Sequence, residues 1–129
     1  MDSIVINGGK ELKGSVIISG AKNAVLPMMA ASLLADGVTT ISNVPDLRDT
    51  RTMASLIEIT GAQVQLNYPE ISIDASTVHT LEAPYELVKT MRASFYVLGP
   101  ILGRFGKAKI SLPGGCAWGP RPVDFHLKA

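Results

Sequence analysis

The stretch "PGGCAWGPRPVDFH", Pro113 to His126, holds the chain's single cysteine, five residues ahead of Arg121 and among three glycines and three prolines. A structural cysteine usually lies in an apolar run and behaves as a small buried hydrophobe. Cys116 instead lies where the backbone bends, and Gly114 and Gly115 permit positive-φ or mobile geometry. A helix start nearby, with Arg121, favours the thiolate. A thiol so poised donates or accepts a proton near neutral pH. Burial as a small apolar group remains the alternative.

A second constellation is "SGAKNA" at 19–24. Lys22 offers a mobile ammonium and Asn23 a side-chain amide, just where a helix start exposes unpaired N–H groups. Donors, helix dipole and ammonium all favour a phosphate there. The spacing does not match a Walker loop, and a solvated lysine at an ordinary helix start explains the same residues. Arg92 is bordered by the small Ala93 and Ser94, so its guanidinium can reach across a groove to a carboxylate or phosphate; a plain surface arginine is the alternative. In "RPVD", 121–124, a rigid backbone edge and one carboxylate fit either a binding site or a helix start with Asp124 in its first turn. Trp118 is a lid residue or simple packing. His79 and His126 lack partners at metal-ligand spacing and are read as structural or exposed. Together these residues suggest a polar cleft in which Lys22, Asn23, Arg92 and Arg121 gather anionic groups beneath Cys116.

Alternating strands and helices must position them. "SVIIS", 15–19, reads as a buried strand. A helix follows over "AKNAVLPMMAASLLA", with Pro27 tolerable only near its start. "GVTTISNV", 37–44, is a second strand. The pattern over 45–62 predicts a second helix, N-capped by Asp46 with Asp49 three residues later and stopped by Gly61. "AQVQLN" and "EISID" alternate apolar and polar around Tyr68–Pro69, which predicts a hairpin with one wet face. A third helix is expected from about Pro84 to Gly99, with Leu87, Met91, Phe95 and Leu98 on one stripe. "KAKISL" is again a strand, and "PVDFHLKA" the beginning of a helix. The order is β-α-β-α-β-β and the opening of a second such unit. "VIISGAKNAVLP" and "KISLPGGCAWGP" echo each other about ninety residues apart, which suggests duplicated subdomains. A helix barely begun at "HLKA" cannot sustain itself, so the sequence reads as the N-terminal portion of a longer protein.

Composition narrows the class. The chain has 129 residues, 47% of them hydrophobic and 5% aromatic, which is enough for an aliphatic α/β core. A formal net charge of +1, with no basic cluster and no interleaved aromatics, gives no case for nucleic acid or an anionic membrane surface. One cysteine excludes an intrachain disulfide and a multi-thiolate metal site. The N-terminus lacks the order of a signal peptide. The longest apolar run, Ala24 to Ala35, is too short to span a bilayer. A soluble cytosolic protein is expected.

In order and spacing, "SGAKNAVLP", "TMRASFYVLGP" and "PGGCAWGPRPVDFHL" resemble the N-terminal third of the UDP-N-acetylglucosamine 1-carboxyvinyltransferases, a family of enolpyruvyl transferases. The resemblance runs from about Ile4 to Ala129. It implies an inside-out α/β barrel of βαβαββ units in two similar domains, with the active site between them. Residues 1–19 would be strands of the second, C-terminal domain. Residues 20–129 would be an incomplete first domain, one βαβαββ unit plus the start of the next. The implied reaction moves enolpyruvate from phosphoenolpyruvate to the 3′-hydroxyl of UDP-N-acetylglucosamine, releases phosphate and opens peptidoglycan synthesis, with no cofactor and no metal. By motif, Lys22 and Asn23 would contact both substrates, and Cys116 would be the mobile-loop proton donor and fosfomycin target. Arg121 would bind the phosphate of phosphoenolpyruvate and Arg92 the sugar nucleotide or its reaction partner. Pro122, Val123, Asp124 and Phe125 would line the uridine pocket. Trp118 stands where the family commonly has a smaller aliphatic residue, and Phe125 where leucine is usual. The family's aspartate base and further arginines would lie beyond Ala129, so these residues alone are expected to be inactive.

Two other classes compete. A non-catalytic, truncated paralogue would bind a sugar nucleotide or phosphate without turnover. A redox-sensing thiol protein would oxidise Cys116 at low peroxide, indifferent to the nucleotide, yet it lacks a resolving cysteine. Among enolpyruvyl transferases, the cysteine loop argues against the shikimate-phosphate branch.

Overall fold

The computed structural model describes residues 3–83, 85–88, 91–111, 123, 127 and 128, and for Glu86, Leu87 and Arg92 the backbone alone. Helix α1, Lys22–Ala31, runs into a 3-10 turn, Ser32–Leu34. Strand β1, Val38–Ile41, leads to α2, Arg48–Ile59, and then to the hairpin of β2, Gln63–Asn67, and β3, Glu70–Asp74. These three strands form an antiparallel sheet in the order β1-β3-β2. Val38 and Gln63 both stand opposite Asp74, and Ile41 and Leu66 both stand opposite Ile71. The period of two along central β3 sends Ile71 and Ile73 to one face, where both are fully buried. They join Met29 and Leu33 of the first helical stretch and Met53, Leu56 and Ile57 of α2 in one core. Helices thus cover one sheet face while the other stays wet, as the alternation predicts.

The second helix is shorter than the expected span of 45–62, and its start is held differently. Asp46 does not cap it. Its carboxylate takes a bidentate pair from Arg51 at 2.8 and 2.7 Å, which holds the guanidinium above its ordinary pKa. The cap is Thr50, whose buried hydroxyl accepts from the Leu47 N–H at 3.2 Å. The same oxygen lies 2.7 Å from the Leu47 carbonyl and 3.1 Å from the Tyr68 hydroxyl. Thr50→Val keeps the shape and strands those partners, so we expect a loss of about 1–2 kcal/mol in urea unfolding. Tyr68→Phe should cost less, because the Leu47 contacts survive. Gly61 ends the helix at φ +98, and its amide donates to the Glu58 carbonyl at 2.9 Å.

Three expectations are corrected. The strand at 15–19 does not form: residues 3–21 adopt neither helix nor strand, and Ile4 and Ile17 are 90% and 102% exposed. A strand needs a neighbour for its N–H and C=O groups, and nothing in the described chain supplies one. The single helix from Pro84 to Gly99 is three pieces: a turn α3, Tyr85–Val88, a 3-10 segment Arg92–Val97, and α4, Leu98–Phe105. Met91 is extended (φ −147, ψ 120) and breaks the run. Gly99 and Pro100 do not stop a helix but sit in the first turn of α4, where the missing proline N–H has no partner to lose. Gly106, at φ +71, closes α4 instead. The expected strand at "KAKISL" narrows to β5, Lys109–Ile110, parallel to β4, Glu82–Ala83, a pairing no local pattern announces. Of the expected helix at 122–129, Leu127 and Lys128 are helical and the Leu127 N–H bonds to the Val123 carbonyl at 3.1 Å.

Candidate functional site

Four pieces of chain converge at the N-terminal end of α1. Gly20 lies so close to the loop before α2 that a Cβ there would overlap the Asn43 carbonyl oxygen and approach Pro45. Glycine is therefore required by contact. Asn43 itself is left-handed, at φ 55, a region asparagine tolerates. The next residue, Val44, donates its N–H to the Pro69 carbonyl at 2.8 Å, which fastens this loop to the hairpin turn. Tyr68, in that turn, reaches Thr50 at the start of α2. The starts of α1 and α2 are thus locked side by side through backbone and buried hydroxyl contacts. Gly20→Ala should push the "SGAKN" turn off this loop. The expected loss is about 1–3 kcal/mol, read by thermal unfolding, because a backbone carbonyl cannot step aside as a flexible side chain can.

The turn presents Lys22 and Asn23 as the first two residues of α1, both exposed. Ala21 precedes the helix with no side-chain cap, and the first turn carries no acidic residue. Among the described residues its leading N–H groups have no side-chain partner, and their partial positive charge is unopposed within the helix. Pro27, inside α1, lacks the N–H that the Asn23 carbonyl would otherwise receive. The Lys22 ammonium lies 2.8 Å from Asp49 Oδ2, with the two side chains 47% and 35% exposed. Asp49 sits in the first turn of α2. The sequence reading gave Asp49 a place in a helix cap and missed this pairing; an acid four residues after "NVP" carries no signal for a lysine on another helix.

The other expected site residues divide. Arg92 opens the 3-10 segment that packs against α1 and α2. Two residues on, Ser94 is fully buried and its hydroxyl finds no hydrogen-bond partner among the described residues. Val123 is half-buried. Cys116, Arg121, Pro122, Asp124 and Phe125, together with Trp118 and His126, lie outside the described residues. His79 packs over Gly61, its ring nitrogen 3.0 Å from the Thr77 carbonyl, as a structural histidine would. Among the described residues, no group of three or more His, Cys, Asp or Glu could hold a metal ion, and no helix is long and apolar enough to cross a membrane. A groove of about 490 Å³ lies along the C-terminal half of α1 and β1, at the far end from Lys22.

Arg104 was not singled out in the sequence either. Its guanidinium donates from one nitrogen to the carbonyls of Leu33, Ala35 and Ala75, at 3.1, 2.7 and 2.9 Å, and from another to Asp36 Oδ1 at 2.9 Å. It pins the end of the first helical stretch and the end of β3 to α4.

The family described as EPSP synthase (3-phosphoshikimate 1-carboxyvinyltransferase) matches residues 6–129. A UDP-N-acetylglucosamine 1-carboxyvinyltransferase of Trichlorobacter lovleyi is 57% identical over 128 residues, which is 99% of this chain and 30% of that protein. One of Chloroherpeton thalassium is 57% identical over 130 residues, 100% of this chain and 30% of its own length. The chain thus spans about 30% of the length of the curated relatives it matches. Among solved structures, the enolpyruvyl transferase NikO from Streptomyces tendae superposes with a TM-score of 0.66 at 30% identity, covering 78% of this chain and 24% of that one. The helices and sheet described above are part of the fold that NikO displays.

Proposed function

We propose, for a chain that belongs to the EPSP synthase (3-phosphoshikimate 1-carboxyvinyltransferase) family, that it supplies the phosphate-binding and proton-donating part of a UDP-N-acetylglucosamine 1-carboxyvinyltransferase. The 57% identity to proteins of that name favours this branch over the shikimate-phosphate branch. The observation that carries the reading is the locked pair of helix starts, which sets an ammonium and an amide at the uncapped end of α1. A phosphate monoester is the ligand such an end accepts best.

In the proposed reaction the 3′-hydroxyl of UDP-N-acetylglucosamine gives its proton to the aspartate base of the complete enzyme as its oxygen attacks C2 of phosphoenolpyruvate, while C3 gains a proton from the donor. The tetrahedral ketal then loses phosphate and a C3 proton, which restores the double bond on the sugar. Lys22 neutralises charge on the departing phosphate, and Asn23 donates its amide to the substrates. Cys116 serves as proton donor and as the thiol that fosfomycin alkylates. Arg121 binds phosphate, Arg92 holds substrate by charge, and Pro122, Val123, Asp124 and Phe125 line the uridine pocket. Such a protein acts in the cytoplasm at the first committed step of peptidoglycan synthesis, and so in cell wall growth, cell shape and division. The aspartate base and remaining arginines come from the rest of a complete enzyme. Residues 1–19 belong with its second domain, and 20–129 form part of the first. The exposed Ile4, Val5, Ile6, Val16, Ile17 and Ile18 support that assignment, since pairing with further strands would cover them.

The test is a chimera in which this chain replaces the matching part of the Trichlorobacter lovleyi relative. Fosfomycin should add once, at Cys116, and faster with UDP-N-acetylglucosamine present, as peptide mass spectra would show. Labelling that ignores the nucleotide would oppose the reading and leave a module that binds without turnover.

A further inference from the structure

Lys22 occupies a poor place for a cation. It is the first residue of α1, where the helix's own partial charge is positive, and nothing acidic on that helix offsets it. An ammonium placed there swings out to water unless an anion fixes it. The anion present is Asp49, 2.8 Å away on a different helix. Pairs this exposed contribute little to folding, so the contact is poorly explained as a stability device. Its own placement is firm: Thr50 and Tyr68 hold the start of α2, and Asp46 is occupied by Arg51.

From this geometry we infer that Asp49 is a positioning residue: it holds the Lys22 ammonium at the end of α1, ready for the phosphate of phosphoenolpyruvate. The inference rests on the proposed carboxyvinyl transfer. Asp49 touches no substrate in this account. It fixes Lys22 in one rotamer before substrate arrives, so that the ammonium need not be ordered during the reaction. Its carboxylate also competes for that ammonium, so it weakens the binding of a free anion while improving turnover.

The experiment is a double-mutant cycle in the active chimera, with inorganic phosphate as the competing anion. Asp49→Asn should lower kcat about tenfold, and phosphate should inhibit several-fold more tightly, because its rival for Lys22 is gone. In a Lys22→Ala background the same change should lower kcat no further and should restore some activity by removing an unpaired carboxylate from the anion site. A structural role would instead give equal losses in both backgrounds, with a lowered melting temperature, and that result would overturn the inference. If Asp49→Asn folds poorly, Asp49→Ser, also favourable at a helix start, provides the same comparison. An active parent with an unaffected Asp49→Asn variant removes this inference alone. A folded parent that makes no product removes the proposed function and this inference with it.

Discussion

Lys22→Ala should lower kcat/KM of the assembled site by about 10²–10³-fold, the scale of losing one pre-organised charge from a set that acts together. Two effects add. The departing phosphate loses its counter-charge at the end of α1, and Asp49 is left there unpaired, turning a neutral pair into a net repulsion. The loss should therefore exceed that of Lys22→Arg, which keeps a cation but misplaces it by the length of a longer, planar group. Steady-state assays with phosphoenolpyruvate varied at saturating sugar nucleotide would separate the two. A loss under threefold for Lys22→Ala would place the phosphate elsewhere.

The largest stability effect is expected at Arg104. Its side chain is 17% exposed and satisfies three backbone carbonyls and the Asp36 carboxylate at once. It also lies 4.9 Å from the Phe105 ring centroid. Hydrogen bonds from a charged donor contribute about 1.5–3 kcal/mol each, and bonds that share one donor group do not add. Arg104→Met keeps most of the aliphatic stem and removes the donors. The expected cost is about 3 kcal/mol, near the upper end for a single substitution, seen as a lower urea midpoint with an unchanged slope. Arg104→Lys should recover only part, since one ammonium has no second nitrogen to hold the Asp36 carboxylate while it reaches the Leu33, Ala35 and Ala75 carbonyls. A shift below about 1 kcal/mol would mean that water replaces the guanidinium at those carbonyls.

Local chemistry made much of this molecule legible. The spacing of Val25 and Met29 marks α1, the alternation in "EISID" marks the strand whose isoleucines are buried, and Gly61 stops α2 where a positive φ is needed. What sequence reasoning missed depends on partners distant along the chain. "SVIIS" has strand composition, yet composition cannot supply the neighbour that would pair with it. β4 and β5 are two residues each and exist through one another. Arg104 looks like any arginine in a last helical turn until its partner at Leu33, 71 residues away, is seen.

The candidate site divides the same way. Lys22 and Asn23 could be nominated because a helix start is written locally, but the lock that holds them was not written there. Gly20 reads as an ordinary turn glycine, and only its contact with Asn43 shows why a side chain is excluded. Thr50 reads as a mid-segment threonine rather than a cap joined to the hairpin. The thiol loop was legible as an unusual sequence, and its assigned roles follow from the resemblance alone.

The central claim is that these residues serve carboxyvinyl transfer to a sugar nucleotide. The measurement that tests it most directly is phosphate release by the chimera from phosphoenolpyruvate, followed with and without UDP-N-acetylglucosamine, with the product identified by mass. The account predicts release that requires the nucleotide and matches enolpyruvyl product one for one. Release without the nucleotide, or with shikimate 3-phosphate in its place, would contradict it.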